Sequence, residues 1–367
     1  MEPAPSATPS TMGADHLARV FGVADLPDRL AAVDECIADA LGRDGAVLAP
    51  AASRVAVTGG KRLRPLLTIV AAELGERFDD RVVAAAAAVE LVQVGSLVHD
   101  DILDRAATRR GRPTINAVEG IDHAVLAGDY ILARAGELAA SVSREVAALV
   151  AATLGALCEG QALEMRDSYD LDRTVESHLR SIHGKTAALF ACACGVGAEA
   201  AGLSERNTAA LTAYGDAFGM AFQVLDDVLD LIGDADRLGK PTGIDIASGV
   251  YTLPVLAALT GPQADELRRL LPGDDGADGG DGAGGHGAGG GAGDVVRAVE
   301  LVRDSGCVAV ALEAMDRYAD EARKAIAHLD QTAIGDGLSA FPRTYMTWAL
   351  ESFMDPRYLE VPLTAIG

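Results

Sequence analysis

The sequence predicts an all-α, single-domain bundle of ten or more helices, and three observations lead there. Alanine and leucine dominate a chain that is 49% hydrophobic but only 4% aromatic, a composition that favours helices over strands. Apolar residues recur at helical spacing along most of its 367 residues. No series of short alternating segments bounded by turn residues suggests a sheet.

In chain order, residues 1–15 read as a disordered tail without the basic and apolar segments of a signal peptide. The domain then spans 16–367. Leu26 to Arg43 has helical spacing with a proline at its start, where a helix tolerates one. TGGKRLRPLL interrupts the pattern at Gly59, Gly60 and Pro65 and leads into a second helix. One long apolar helix is expected from Arg81 to Asp104, and GRPTINAVEG breaks it. Helical patterns resume over Ala124–Ala140, Glu145–Met165, Thr174–Ala200 and Asn207–Leu231. GDADRLGKPTGIDIASG is a loop, followed by short helices at Leu253–Ala258 and Ala264–Leu271. Residues 273–294 form a Gly/Asp-rich stretch that cannot bury a core and reads as a flexible insertion. Val295–Leu329 is helical again, and FPRTYMTWALESF closes the fold.

With 31 basic and 54 acidic residues, the net charge is −23. Nothing approaches the basic surface that nucleic-acid binding needs, so that class is set aside. Five scattered cysteines without a CxxC pair suit buried thiols in a reducing compartment. The nearest approach to a membrane span, VVAAAAAVELVQVGSLVHDD, ends in charge. A cytoplasmic protein without stable membrane insertion is expected.

Two DDxxD clusters stand out because both lie inside aliphatic runs: Asp100, Asp101 and Asp104, then Asp226, Asp227 and Asp230. On a helix the first and last aspartate of each cluster share a face, where like charges repel, and the middle one lies about 100° around. Burying such ions uncompensated is expensive. Divalent cations relieve both penalties, and a hard, oxygen-only donor set that shares ligands with phosphate fits Mg²⁺. Two solvated acidic faces are the plainer reading, but two matching clusters in apolar surroundings argue against it. Lys61, Arg62 and Arg64 on a Gly-rich loop, Arg109, Arg110 and Arg112, Lys185 beside Thr186, and Lys240 supply cations for polyanionic substrates.

With these residues in place, the sequence resembles the trans-isoprenyl diphosphate synthases, the polyprenyl synthetase family, from about Gly59 to Pro254. The marks are GGKRLRP, LVHDDILD followed by RRG, GQ at Gly160 and Gln161, GKTA, FQVLDDVLD and GKPTGIDIASGVYTLP. The resemblance implies helices around a central active-site cavity and a homodimer. It also implies transfer of an allylic prenyl diphosphate to isopentenyl diphosphate with three Mg²⁺. By position, Asp100 and Asp104 would take two of the ions and Asp226 the third, with Asp101, Asp227 and Asp230 completing the shells. Arg109, Lys185 and Lys240 would hold the allylic diphosphate. Lys61, Arg64, Gln93 and Arg110 would hold isopentenyl diphosphate, while Thr186 and Gln223 line the reacting centre. The implied reaction needs no side-chain nucleophile, and none is evident; His99 reads as a packing or supporting residue.

Some positions depart from the family pattern. Gln93 stands where many long-chain members carry histidine, Val250 where many have lysine, and the C-terminus DPRYLEVPLTAIG has no basic end. Product length is implied by the residues one turn before Asp100. Gly95 and Ser96 are small, with Val92 a further turn away, so an open floor and a hexaprenyl to decaprenyl product are expected, with close helix packing as the parallel reading of the small pair. A geranylgeranyl product, a terpene cyclase on the same fold and a non-catalytic partner subunit are the rival readings. The intact isopentenyl site and both intact clusters speak against the last two.

Overall fold

The computed structural model describes residues 12–42, 46–57, 61–75, 77–273, 291–329 and 332–358. Helices α1 (Ala14–Phe21) and α2 (Leu26–Leu41) bury Leu17, Phe21, Val33 and Ile37, and α3 (Ala49–Ala56) and α4 (Leu63–Ala72) follow. The long α5 (Asp80–Leu103) starts where the Asp79 carboxylate accepts the Arg81 N–H, a capping bond that satisfies an otherwise orphaned donor. A two-residue turn joins β1 (Thr108–Arg109) to β2 (Arg112–Pro113), with Arg109 opposite Arg112. Both turn residues have positive φ, Arg110 at 51° and Gly111 at 73°, the pattern that matches hairpin twist.

Thr114, Ser143 and Thr174 cap α6 (Ile115–Glu119), α8 (Arg144–Arg166) and α9 (Val175–Ile182), with α7 (Ile121–Val142) between the first two. A π-helical turn, His183–Ala187, joins α9 to α10 (Ala188–Ala200). Ser204 caps α11 (Glu205–Ile232). The short α12 (Ala235–Leu238), α13 (Ile244–Ala247), α14 (Leu253–Ala258) and α15 (Ala264–Leu270) cross to α16 (Ala292–Asp304), α17 (Cys307–Ala325) and α18 (Ala333–Phe353). The core forms where α5 packs against α2, α4, α7 and α10, and where α11 packs against α10 and α17. Alanines 85–88 of α5 are fully buried, and their small side chains let neighbouring helices approach closely.

The all-α bundle agrees with the sequence, and several details correct it. Neither α1 nor α3 was legible, being two turns long each. GRPTINAVEG is not a plain break, since it completes the hairpin and contains α6. The expected continuous helix over 295–329 is broken at Gly306, whose φ of 76° suits a residue without a side chain. Of the tail assigned to 1–15, residues 1–11 lie outside the described residues, and Ala14 and Asp15 already belong to α1. Most of the 273–294 insertion also lies outside them, while Ala292–Asp294 opens α16. Among the described residues, two helices, α5 and α8, are long and apolar enough to cross a membrane by length and composition, which corrects the sequence reading. The apolar window of α5 is 67% buried inside the bundle, and that of α8 only 22%.

Candidate active site

Both aspartate clusters sit near the C-terminal ends of their helices, α5 and α11. Those ends carry the negative pole of the helix dipole, which adds to the repulsion between carboxylates and favours a cation. Asp100 and Asp104 face Asp226 and Asp227 across one cavity of about 790 Å³, whose wall includes Arg109, Lys185 and Gln223. Burial, with Asp104 and Glu164 nearby, pushes the Asp100 carboxyl above its ordinary value against the pull of Lys185 and Arg109. Asp226 keeps 53% of its side chain accessible at the cavity wall. The protein around it, together with Asp227, still raises its pKa, opposed by Lys240 and Lys61. Among the described residues, no three His, Cys, Asp or Glu side chains converge on a metal-sized point.

The cations on this side are each paired with a carboxylate. Lys185 Nζ lies 2.6 Å from Glu164, Arg109 Nε donates to Asp101 at 2.6 Å, and Lys240 Nζ lies 3.7 Å from Asp226. Burial lowers the Lys185 pKa, but Glu164, Asp100 and Asp104 outweigh it and the net shift is upward. Lys185 and Thr186 come from the π turn, which touches α8 backbone to backbone. A Cβ on Gly160 would lie 2.3 Å from the Lys185 nitrogen, and one on Gly184 would lie 2.7 Å from the Ala156 carbonyl oxygen. Only glycine fits at such a crossing. The Thr186 hydroxyl donates to Gln223 at 2.7 Å, and Gln223 donates to Asp227 at 2.9 Å.

A second cavity of about 830 Å³ is lined by Lys61, Arg64, Gln93 and Arg110. Here the cations meet rings. Lys61 Nζ lies 4.7 Å from the Trp348 ring centre and donates to the Tyr345 hydroxyl at 3.1 Å. The Arg64 guanidinium sits 4.3 Å from the Phe190 ring centre. Full burial lowers the Arg64 pKa to about 10, so it stays charged at neutral pH. Arg62, by contrast, is tied to Glu90 at 2.6 Å and Asp34 at 2.9 Å. Its φ of 47° and that of Arg110 at 51° are unusual for non-glycine residues, and both flank the cavity.

The structure therefore gathers most of the residues singled out in the sequence and separates a few. Asp101 is buried against Arg109 and lines a different cavity from Asp100 and Asp104. Asp230 is also buried, and its two oxygens accept the Ile244 and Asp245 N–H groups at 3.3 and 3.1 Å. It organises the start of α13 instead of lining the cavity. Lys240 reaches the cavity through its contact with Asp226. Gly95 packs on α7, where an added Cβ would lie 2.7 Å from Leu132 Cδ2. Ser96 donates to the Gln93 carbonyl at 2.9 Å, and Val92 is fully buried.

Three residues of the cavity were not anticipated. Asp245 follows the second cluster in GKPTGIDIASG, and burial together with Asp230, Asp227 and Asp226 pushes its pKa well up. Glu164 holds Lys185. His178 is buried, its Nε2 3.3 Å from Asp227 Oδ2 without hydrogen-bond geometry. Asp245 was readable as an acid in a Gly-rich loop, whereas the other two depend on helix packing.

Comparison with known proteins agrees with this fold. The family model described as polyprenyl synthetase matches residues 46–279. Heptaprenyl diphosphate synthase component 2 of Geobacillus stearothermophilus is 41% identical over 236 residues, 64% of this chain and 74% of the relative. Nonaprenyl diphosphate synthase of Mycobacterium tuberculosis is 37% identical over 276 residues, 74% of this chain and 78% of the relative. Among solved structures, a polyprenyl synthase from Caulobacter crescentus complexed with calcium and isoprenyl diphosphate superimposes with a TM-score of 0.78. It is 33% identical, with 90% of this chain and 96% of that chain covered. A decaprenyl diphosphate synthase from Rhodobacter capsulatus gives the same TM-score at 32% identity, covering 91% and 99%.

Proposed function

The chain belongs to the polyprenyl synthetase family, and on that premise we propose that it condenses isopentenyl diphosphate with an allylic prenyl diphosphate to give a long trans-polyprenyl diphosphate. The observation that carries this reading is the pair of aspartate clusters facing each other across one cavity, next to a second cavity lined by cations. In this assignment Asp100, Asp104 and Asp226 would hold Mg²⁺. The donor set fits: it is all hard oxygen, the Asp100 and Asp226 carboxyls are raised by burial and a neighbouring aspartate, and Asp227 Oδ2 is buried without a hydrogen-bond partner. Mg²⁺ is usually held by one or two carboxylates plus substrate phosphates, so no three-carboxylate cage is required. When bound, the metal withdraws charge from the departing diphosphate.

This chain's own residues do the rest. Lys185, Arg109 and Lys240 surround the allylic diphosphate and favour its departure by balancing the charge that develops on it. Lys61, Arg64, Gln93 and Arg110 hold isopentenyl diphosphate so that its double bond faces the allylic carbon. Gln223, fixed between Thr186 and Asp227, orients polar contacts at the reacting centre. The C1–oxygen bond of the allylic substrate breaks, the isopentenyl double bond attacks that carbon, and a proton leaves, taken by the released diphosphate. Product length falls to Ser96 and Val92, which precede Asp100 at intervals of four residues on α5.

A homodimer belongs to this reading. The poorly buried α8 presents Ala148, Ala151, Ala152, Gly155 and Ala162 to the outside, and small residues let a second copy approach closely. The five cysteines are all free, in keeping with a cytoplasmic setting. A second reading is favoured by the relatives named component 2 of a heptaprenyl diphosphate synthase: the chain would be one subunit of a two-component enzyme. One experiment separates them. Purified chain is incubated with Mg²⁺, isopentenyl diphosphate and each allylic primer, and products are sized by mass spectrometry. Linear prenyl diphosphates made by the chain alone support the main reading, and turnover only after adding a second component supports the other. A cyclic hydrocarbon made without isopentenyl diphosphate would overturn both.

A further inference from the structure

Lys61 and Arg64 differ from the other cations of the site in what holds them. Lys185, Arg109 and Lys240 are each paired with a carboxylate, whereas Lys61 and Arg64 are seated on aromatic rings. Those rings form one continuous series. Phe190 carries Arg64 and touches Phe222 at 5.1 Å between centroids, Phe222 touches Tyr345 at 5.8 Å, and Tyr345 touches Trp348 at 5.5 Å. Trp348 meets Phe353 edge-on at 5.6 Å. The Lys61 ammonium lies within 4.7, 5.0 and 5.4 Å of the Trp348, Phe353 and Tyr345 centroids. The chain is poor in aromatics and has a single tryptophan, so their concentration on one lysine is not explained by composition.

We propose that Trp348, with Tyr345 and Phe353, is a positioning residue for isopentenyl diphosphate binding, boxing the Lys61 ammonium in its working position while leaving its charge unneutralised. The idea rests on the reading that Lys61 binds that substrate. An ammonium on a four-carbon stem is mobile, and fixing it beforehand removes an entropic loss from binding. A carboxylate would fix it too, but an incoming diphosphate would have to displace that partner. The face of an aromatic ring attracts the cation without cancelling its charge, so the ammonium stays available to the diphosphate. The aromatic end of α18 thereby organises this cavity.

The test measures KM for each substrate and kcat in Trp348→Leu, Trp348→Phe, Lys61→Met and the Lys61→Met/Trp348→Leu double variant, with circular dichroism as a check on folding. Trp348→Leu is expected to raise KM for isopentenyl diphosphate about 3- to 10-fold. Both kcat and the allylic KM should stay within about twofold, and Trp348→Phe should restore most of the loss. In the Lys61→Met background, Trp348→Leu is expected to add nothing further. Equal effects in both backgrounds, or an unchanged KM in Trp348→Leu, would overturn the proposal. An unchanged KM in Lys61→Met alone overturns the assignment of Lys61 itself, and the box with it. Should Trp348→Leu fail to fold, Phe353→Leu at the box edge replaces it under the same criteria.

Discussion

Asp100 and Asp245 illustrate opposite uses of a half-buried carboxylate. Asp100 faces the cavity with a raised pKa, and in the proposed reaction it becomes tolerable only with a cation beside it. Asp100→Ala is expected to cut turnover by about 10³-fold while the circular dichroism spectrum is unchanged; near-normal turnover would refute the metal assignment. Asp245 is raised further, by burial and by three neighbouring aspartates. A carboxyl whose folded pKa exceeds its unfolded value contributes full stability below the unfolded value, here near 3.8. That contribution is lost as pH rises through the folded value. Metal-free Asp245→Asn should therefore melt at a higher temperature than the parent protein at pH 7, the gap closing toward acid pH in thermal melts. The individual aspartates, lysines and arginines were legible because two repeated motifs and their basic partners lie within short stretches of sequence. Glu164 and His178 were not, since only the packing of α8 and α9 brings them to the site.

A single helix, α5, serves three neighbours with three faces. Asp100 and Asp104 lie toward the cavity, Gly95 and His99 toward α7, and Gln93, Leu97 and Asp101 toward the arginine hairpin. His99 completes the second contact, since a Cβ on Gly128 of α7 would lie 2.2 Å from its Nε2. Gly95 thus packs closely on Leu132, one of the two roles weighed for it from the sequence. Gly95→Ala should destabilise the fold by roughly 1–3 kcal/mol through crowding of Leu132, measurable by chemical denaturation. Ser96→Phe should instead shorten the product in mass spectrometric assays; an unchanged distribution would remove Ser96 from the floor. Periodicity located α5, α7, α8 and α11 well, because each is long and its apolar stripe repeats many times. It could not separate α9 from α10 or α16 from α17, where helical residues continue through a π turn or a lone glycine.

At the scale of the molecule, the bundle brings two helix ends and two loops from distant parts of the chain around adjoining cavities. The class of fold was legible from composition and periodicity, while the placing of the α5 and α11 ends on one cavity was not, because no local signal encodes which helix ends meet. The outer face of α8 belongs to this scale as well. Ala151→Arg should shift the protein toward monomer in sedimentation equilibrium if a second copy covers that face; an unaltered assembly state would place the contact elsewhere. The π turn at His183–Ala187 has a consequence of another kind. It holds one residue more than an ordinary helical turn, so α9 and α10 are out of phase by that residue. Deleting His183 would leave a smooth, well-formed helix with the wrong register. One half would turn by about 100° relative to the other, and either His178 or Lys185 would swing away from Asp227 and Asp100. A shorter and more regular chain would then carry every motif intact and still have a dismantled reaction chamber.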